Sequence, residues 1–232
     1  MLKRVILTIF FALTCQATTL NAQVGFNYDV KVTDAPAFLF AMNSYMNSSE
    51  GSSGSASVAL RQNLANGLTK TTHNIAVIWP DFESMQRDTA RNATSAQWAA
   101  FQASLAKVAT IESNVIFSAT GLSTSNSSMA SNPNQFKRFI NFRVEPQNVA
   151  SYTEALTELW EGCDDSVHHA LFSLFGSGET GFTHAVVQTA ASAEDLLDGT
   201  ACSTDATVEF FSEVSEIREV MNDFIAVQMA TW

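Results

Sequence analysis

The sequence predicts an α+β fold: one βαββαβ unit written twice in tandem. Three observations predict it. The chain resembles itself at a shift of 111 residues. The same order of strand and helix patterns stands on both sides of a Ser/Asn-rich break. Within each copy, period-two stretches interleave with stretches whose apolar residues recur three and four apart. At the shift of 111, Ala59-Leu60 meets Ala170-Leu171, Gly67 meets Gly178, Thr69 meets Thr180, Thr72-His73 meets Thr183-His184, and Glu83 meets Glu194. These are seven identities in the 28 pairs from 58 to 85, where about two would arise by chance. Farther on, Ala119-Thr120 meets Ala230-Thr231 in the same register.

In the first copy, Tyr28 to Thr33 alternates as a strand does. Asp34-Ala35-Pro36 then supplies an N-cap type residue and an early proline for a helix running to about Met46. Ser55 to Leu64 and Thr72 to Trp79 form two strands around a turn at Gly67. Thr94-Ser95-Ala96-Gln97 has the form of a capping box, and the helix after it buries Trp98, Phe101, Leu105 and Val108. Asn114 to Thr120 is the closing strand. The second copy repeats the series: strand Phe139 to Val144, a helix opened by Pro146 with Val149, Tyr152, Leu159 and Trp160 on one stripe, and a hairpin of Val167 to Phe175 with Thr183 to Ala190. Phe210, Val214, Ile217 and Met221 then mark a long helix before the strand Phe224 to Thr231. The expected organisation is a first unit over 23–121, a linker over 122–134 and a second unit over 135–232.

Residues 1–22 read as a secretory signal peptide. Lys3-Arg4 is a positive start, Val5 to Cys15 an apolar core, and Leu20-Asn21-Ala22 ends in a small residue at the cleavage position. A cut after Ala17 is the alternative. The apolar run is shorter than the roughly 20 residues a spanning helix needs, and a lipoprotein reading at Cys15 is weakened by Thr14 before it. The expectation is therefore an exported protein, periplasmic or extracellular, with no membrane attachment once the signal is removed.

Removing Lys3 and Arg4 from the 12 basic residues leaves 10 against 23 acidic ones, a net charge of −13. Such a chain repels phosphate backbones and anionic membrane surfaces, which argues against nucleic acid as a partner. Sixteen acidic residues fall between Glu145 and Asp223 with only Arg218 in opposition, mostly at helical spacing, as on a solvated helix face. Two cysteines, Cys163 and Cys202, remain after cleavage. An even count in an oxidising compartment suggests a disulfide, and their acidic surroundings do not favour a reactive thiolate.

A βαββαβ unit is the ferredoxin-like split motif, a four-stranded antiparallel sheet with two helices on one face. Two such units can cover each other's bare sheets. The Thr72-His73 and Thr183-His184 strand starts, with the element order across nearly the whole mature chain, resemble the dimeric α/β-barrel superfamily in fused form, as in antibiotic-biosynthesis monooxygenases and stress-responsive barrel proteins. The resemblance implies two antiparallel sheets packed as a pseudo-dimeric barrel, and it carries over no catalytic residue. It also places the end of a unit's first helix near the beginning of its second, which supports a pairing of Cys163 with Cys202.

Strand alternation then selects candidate ligand-binding residues. Tyr28, Val30 and Val32, like Ile140, Phe142 and Val144, are expected under the helices. The opposite face carries Asp29 and Lys31 in one copy and Asn141, Arg143 and Glu145 in the other, a polar set that points into the barrel if the sheets close. An ion-pair network satisfied within itself is the competing reading. His73 and His184 are weak catalytic candidates as general bases, set against the plainer role of tying a strand end. Asp164-Asp165 with His168-His169 are metal-ligand types, but adjacent strand residues point to opposite faces, so no metal site is assigned. There is no Gly-rich phosphate loop, zinc pattern or nucleophile elbow, and no cofactor is implied.

Three functional readings follow. The first is an exported small-molecule-binding or interaction module with its site in the barrel. The second is a cofactor-independent monooxygenase or isomerase, as the resemblance implies. The third is a structural scaffold with no ligand. The chain could act as a monomeric pseudo-dimer or a homo-oligomer. A cavity would favour the first two readings, and a filled interior the third.

Overall fold

The computed structural model describes residues 23–124 and 135–232. The expected signal peptide and most of the expected linker lie outside the described residues. The first copy runs β1 (Val24–Val32), α1 (Ala35–Met46), β2 (Ser57–Ala65), β3 (His73–Trp79), α2 (Phe82–Ala93), α3 (Ala96–Leu105) and β4 (Ala109–Ser123). The second runs β5 (Phe136–Val144), α4 (Val149–Glu161), β6 (Val167–Phe175), β7 (His184–Ala190), α5 (Ala193–Leu197), α6 (Thr204–Val214) and β8 (Arg218–Thr231). The eight strands close into an antiparallel barrel in the order β1-β3-β2-β8-β5-β7-β6-β4. Moving four places around this ring carries every strand onto its copy. The pseudo-twofold axis therefore lies along the barrel, and equivalent residues face each other across its interior. The fold is α+β, two tandem ferredoxin-like units whose sheets pack together as an α/β barrel.

Local chemistry sets the elements. Asp34 caps α1 by accepting from the Ala37 N–H at 3.0 Å, with Pro36 in the first turn. The helix after residue 94 starts one residue later than the expected capping box: Ser95, not Thr94, accepts from the Trp98 N–H. A turn of 3-10 helix over Pro146–Asn148 leads into α4. The long second-copy helix expected through Met221 stops at Val214, and Met221 already lies in β8.

Helices α2 and α5 add to the expected pattern. Helix α2 buries two polar residues, Ser84 and Asp88. The Asp88 carboxylate accepts from Trp79 Nε1 at 3.0 Å and from the Ser55 N–H at 2.8 Å, and pairs with Arg91 at 3.4 Å. That hub ties α2 to both edges of the β2–β3 hairpin. In the second copy the short α5 presents buried Leu196 instead.

Each unit has a core between its helices and its sheet. Phe38, Met42 and Phe101 pack on Val30, Leu60 and Ile75 in the first, and Tyr152, Leu156 and Phe210 on Phe142, Leu171 and Val186 in the second. Cys163, just after α4, and Cys202, just before α6, form a disulfide. Among the described residues no helix is long and apolar enough to cross a membrane.

The repeat changes register late in each copy. Ala59 and Ala170, 111 apart, are equivalent in β2 and β6, yet the residues facing Arg61 and Phe172 are Gln228 and Ala119, which are 109 apart. The Ala119-Thr120 and Ala230-Thr231 identity therefore does not mark equivalent positions.

Candidate functional site

The inner face of the barrel receives alternate residues of all eight strands, and their side chains leave a cavity of about 380 Å³. Its walls carry Phe117, Phe139, Phe172, Phe182 and Phe224, with polar groups contributed by β1, β2, β4, β5, β6, β7 and β8. A second hollow, between the outer surfaces of α1 and α3, is lined mainly by small and apolar side chains and has Lys107 as its charged group. The chemistry lies inside the barrel.

Arg61 is central. It follows Val58-Ala59-Leu60 on β2, in a strand whose first four inner and outer positions after Ser57 are all buried, and it is 6% exposed. Its Nη1 donates to Asn74 Oδ1 at 2.8 Å on β3, and Asn74 Nδ2 donates to Asp29 Oδ1 at 3.0 Å on β1. Ser113 donates to the other Asp29 oxygen at 2.8 Å. The guanidinium lies 5.3 Å from the Phe139 ring centroid, and its Nε has no hydrogen-bond partner. Burial lowers its pKa to about 10.

Lys137, also 6% exposed, stands on β5 and donates from Nζ to Thr189 Oγ1 on β7 at 2.9 Å. Burial, then repulsion from Arg61, lowers its pKa to about 7. His168, opposite Thr189 on β6, is buried in the same wall. Burial and the nearby Lys137 lower its pKa, against a Thr124 hydrogen bond that raises it. Among the described residues neither Arg61 nor Lys137 has a carboxylate at ion-pair distance. Gln135, two residues before Lys137, is buried with both side-chain amide atoms unpartnered.

Of the residues expected at the site, Asp29 and Asn141 line the cavity. Lys31 and Arg143 do not. Register shifts follow Asp29 and Asn141 in the pairing with β4 and β8, and beyond them both strands run out to the barrel rim. Lys31 is exposed there, and Arg143 is held by the Gly181 carbonyl at 3.4 Å and by Glu219 at 3.6 Å. His73 and His184 also lie outside the cavity, on the helix side of their strands. Each ring Nδ1 sits 2.9 Å from the hydroxyl of the preceding threonine, and the rings pack on Phe38 and Phe142. His168 and His169 point to opposite faces, as strand geometry requires. His169 comes within 4.8 Å of both cysteine sulfurs, but the disulfide commits those sulfurs and leaves His169 as a lone ligand type.

Solved structures share this architecture. The chain has the dimeric α/β-barrel fold in tandem-fused form. A candidate monooxygenase from Fusobacterium nucleatum superposes with a TM-score of 0.62 at 13% identity over 90% of this chain and 93% of that one. An anthrone oxidase-like protein gives 0.61 at 10% identity over 91% and 93%. A variant chlorite dismutase from Candidatus Nitrospira defluvii gives 0.57 at 12% identity over 90% and 91%. No known protein family and no curated protein matches the sequence.

Proposed function

We propose that this protein is an exported small-molecule-binding barrel whose ligand sits between the two sheets. The observation that carries the reading is the cavity of about 380 Å³, lined by aromatic rings and inward-facing polar groups in place of interlocking side chains. The volume falls in the range of small-ligand sites, and the open interior disfavours the scaffold reading. The amino-terminal signal-like segment and the acidic charge support a role outside the cytoplasm, with neither nucleic acid nor membrane as partner. Native mass spectrometry of the protein taken from its host's exported fraction tests the reading. A small non-covalent mass lost on denaturation, and absent from an Ala170→Trp variant that fills the cavity, is the expected result. A bound mass unaffected by that variant overturns the barrel as its location.

One observation favours catalysis as a second reading. An amine with a pKa of about 7 inside an aromatic-lined cavity can take a proton from an acidic C–H at neutral pH. Anthrone is a suitable probe: its carbanion would supply the electrons and dioxygen would accept them, giving the quinone and water. Dioxygen uptake that is lost in Lys137→Met supports this reading, and no uptake above the uncatalysed rate removes it.

A further inference from the structure

We infer that the ligand carries a carboxylate, seated between Arg61 and Lys137, with a planar apolar body against the phenylalanine walls. The inference rests on the barrel-binding reading and adds the chemical class.

Two cations are buried at one cavity with no acidic partner at ion-pair distance among the described residues. A buried charge normally has a counterion, because desolvating it alone is expensive. Asp29 does not serve. It reaches Arg61 only through the Asn74 amide, and both of its oxygens are already engaged, by Asn74 and Ser113. The chain thus keeps positive charge inside a molecule whose net charge is −11. An anion brought in by a ligand would balance it.

The shape of the donors also favours a planar anion. Arg61 Nε is unpartnered, and Lys137 Nζ spends one donor on Thr189. Arg61 spends one of its five N–H groups on Asn74, so four remain beside the rest of an ammonium group. The planar guanidinium fork matches the two coplanar oxygens of a carboxylate, with the ammonium beside it. Five phenylalanines also line the cavity, with Phe139 beneath the Arg61 guanidinium and Phe117 against Phe172 edge to face at 5.5 Å. A flat apolar body finds contacts on both sides.

Calorimetry at pH 6 with three probes decides the matter: 2-naphthoate, its neutral isostere 2-naphthamide, and 2-naphthyl phosphate. The expected result is naphthoate bound at least ~10-fold more tightly than the amide, the scale of a charge-assisted pair. Lys137→Met and Arg61→Leu should each erase that preference and leave amide binding in place, and Lys137→Arg should restore part of it. Retained amide binding shows that the variants fold. Equal affinity for naphthoate and naphthamide overturns the carboxylate seat while leaving the barrel site standing. Tighter binding of the phosphate overturns the choice of anion. Binding of none of the probes overturns the inference, and the barrel reading falls with it only if native mass spectrometry also finds no bound mass.

Discussion

Across the barrel axis the two copies place different chemistry at equivalent positions. In the first copy Gly25 on β1 lies opposite Phe117 on β4 and Ile78 on β3. In the second, the matching residues on β5, β8 and β7 are Lys137, Ala226 and Thr189. A small residue beneath a large ring has been exchanged for a long cation beneath a small neighbour, so each wall is filled from the opposite strand. The hairpins differ in the same sense. Ser57 and Val58 of β2 stand where β6 has His168 and His169. At these positions the first copy supplies Gly25, Ser57 and Val58, and the second supplies a buried amine and two buried imidazoles. Their fastenings differ too, with the Asp88 hub in one and the Cys163–Cys202 disulfide in the other. Duplicated backbone with divergent lining thus brings a guanidinium from one copy and an amine from the other to one asymmetric cavity.

The largest test of this contrast removes the second copy's fastening. The Cys163→Ala, Cys202→Ala double variant loses a cross-link spanning 39 residues, a loss of about 4 kcal/mol. Hydrogen exchange should show α4 and α6 opening, while α1 and α3 keep their protection. Equal loosening of both copies would break the idea that each is fastened separately. Acid is the next largest. His169 is 2% exposed, and burial, then repulsion from His168, lower its pKa from 6.5 to about 4 despite the raising effect of Asp164. The unfolded chain binds a proton there near pH 6.5 and the folded chain does not. The stability tied to this group is therefore full above pH 6.5 and falls by about 3 kcal/mol on the way to pH 4. His169→Val, which writes the first copy's Val58 into the second, should flatten that part of the stability-against-pH curve. An unchanged slope would sink this assignment.

A smaller effect is expected in the opposite wall. A Cβ on Gly25 would sit 2.3 Å from the Val77 carbonyl oxygen and 2.4 Å from Phe117 Cζ. Gly25→Ala should therefore destabilise by about 2 kcal/mol in denaturant unfolding. Adding Phe117→Ala should recover only part of this, because the backbone oxygen cannot move as a ring can. Full recovery would mean that the ring alone requires the glycine.

The fold was legible because its signals are periodic. The strand over 167–175 and the helix ending at Met46 were readable from alternation, capping and apolar spacing. Helix α2 gave no such signal, since its buried residues are Ser84 and Asp88, and only the Asp81 cap before Ser84 announces it. The site was legible in kind but not in place. A polar inner face was expected, and Asp29 and Asn141 are on it. Alternation continued past the register shifts to Lys31 and Arg143, which the ladder carries to the rim. Starting the fifth strand at Phe139 cut off Lys137, because the adjacent cations Lys137-Arg138 break the period-two alternation there. Arg61 did carry one signal: a lone cation in the run Val58-Ala59-Leu60-Arg61. Closure of the barrel, which turns that cation inward and brings it to Lys137, depends on the pairing of β2 with β8, and no local pattern encodes it.

The smallest expected effect has an unusual sign. Lys137 is a group the fold tolerates rather than needs, so Lys137→Met should make the ligand-free protein more stable. The unfolded amine has a pKa near 10.5 and the folded one about 7, lowered by burial and then by Arg61. Between these values the unfolded chain binds the extra proton, so wild-type stability rises with pH from 7 to 10.5 and is lowest, and flat in this respect, below 7. Methionine removes the buried charge and keeps the length, though it leaves the Thr189 hydroxyl without its donor. The net gain should be about 1–2 kcal/mol at pH 6 and should shrink towards zero as the pH approaches 10. The groups facing the amine are Arg61 from β2, Thr189 from β7 and His168 from β6. A ligand carboxylate would add the missing negative charge and stabilise the protonated form, so naphthoate should take up a proton on binding above pH 7, and its affinity should fall there by up to ~10-fold per pH unit. Thermal unfolding of both proteins from pH 6 to 10, with and without naphthoate, reads the two effects together. If Lys137→Met is the less stable protein at every pH, the amine is a structural strut, and the asymmetry between the copies owes nothing to a ligand.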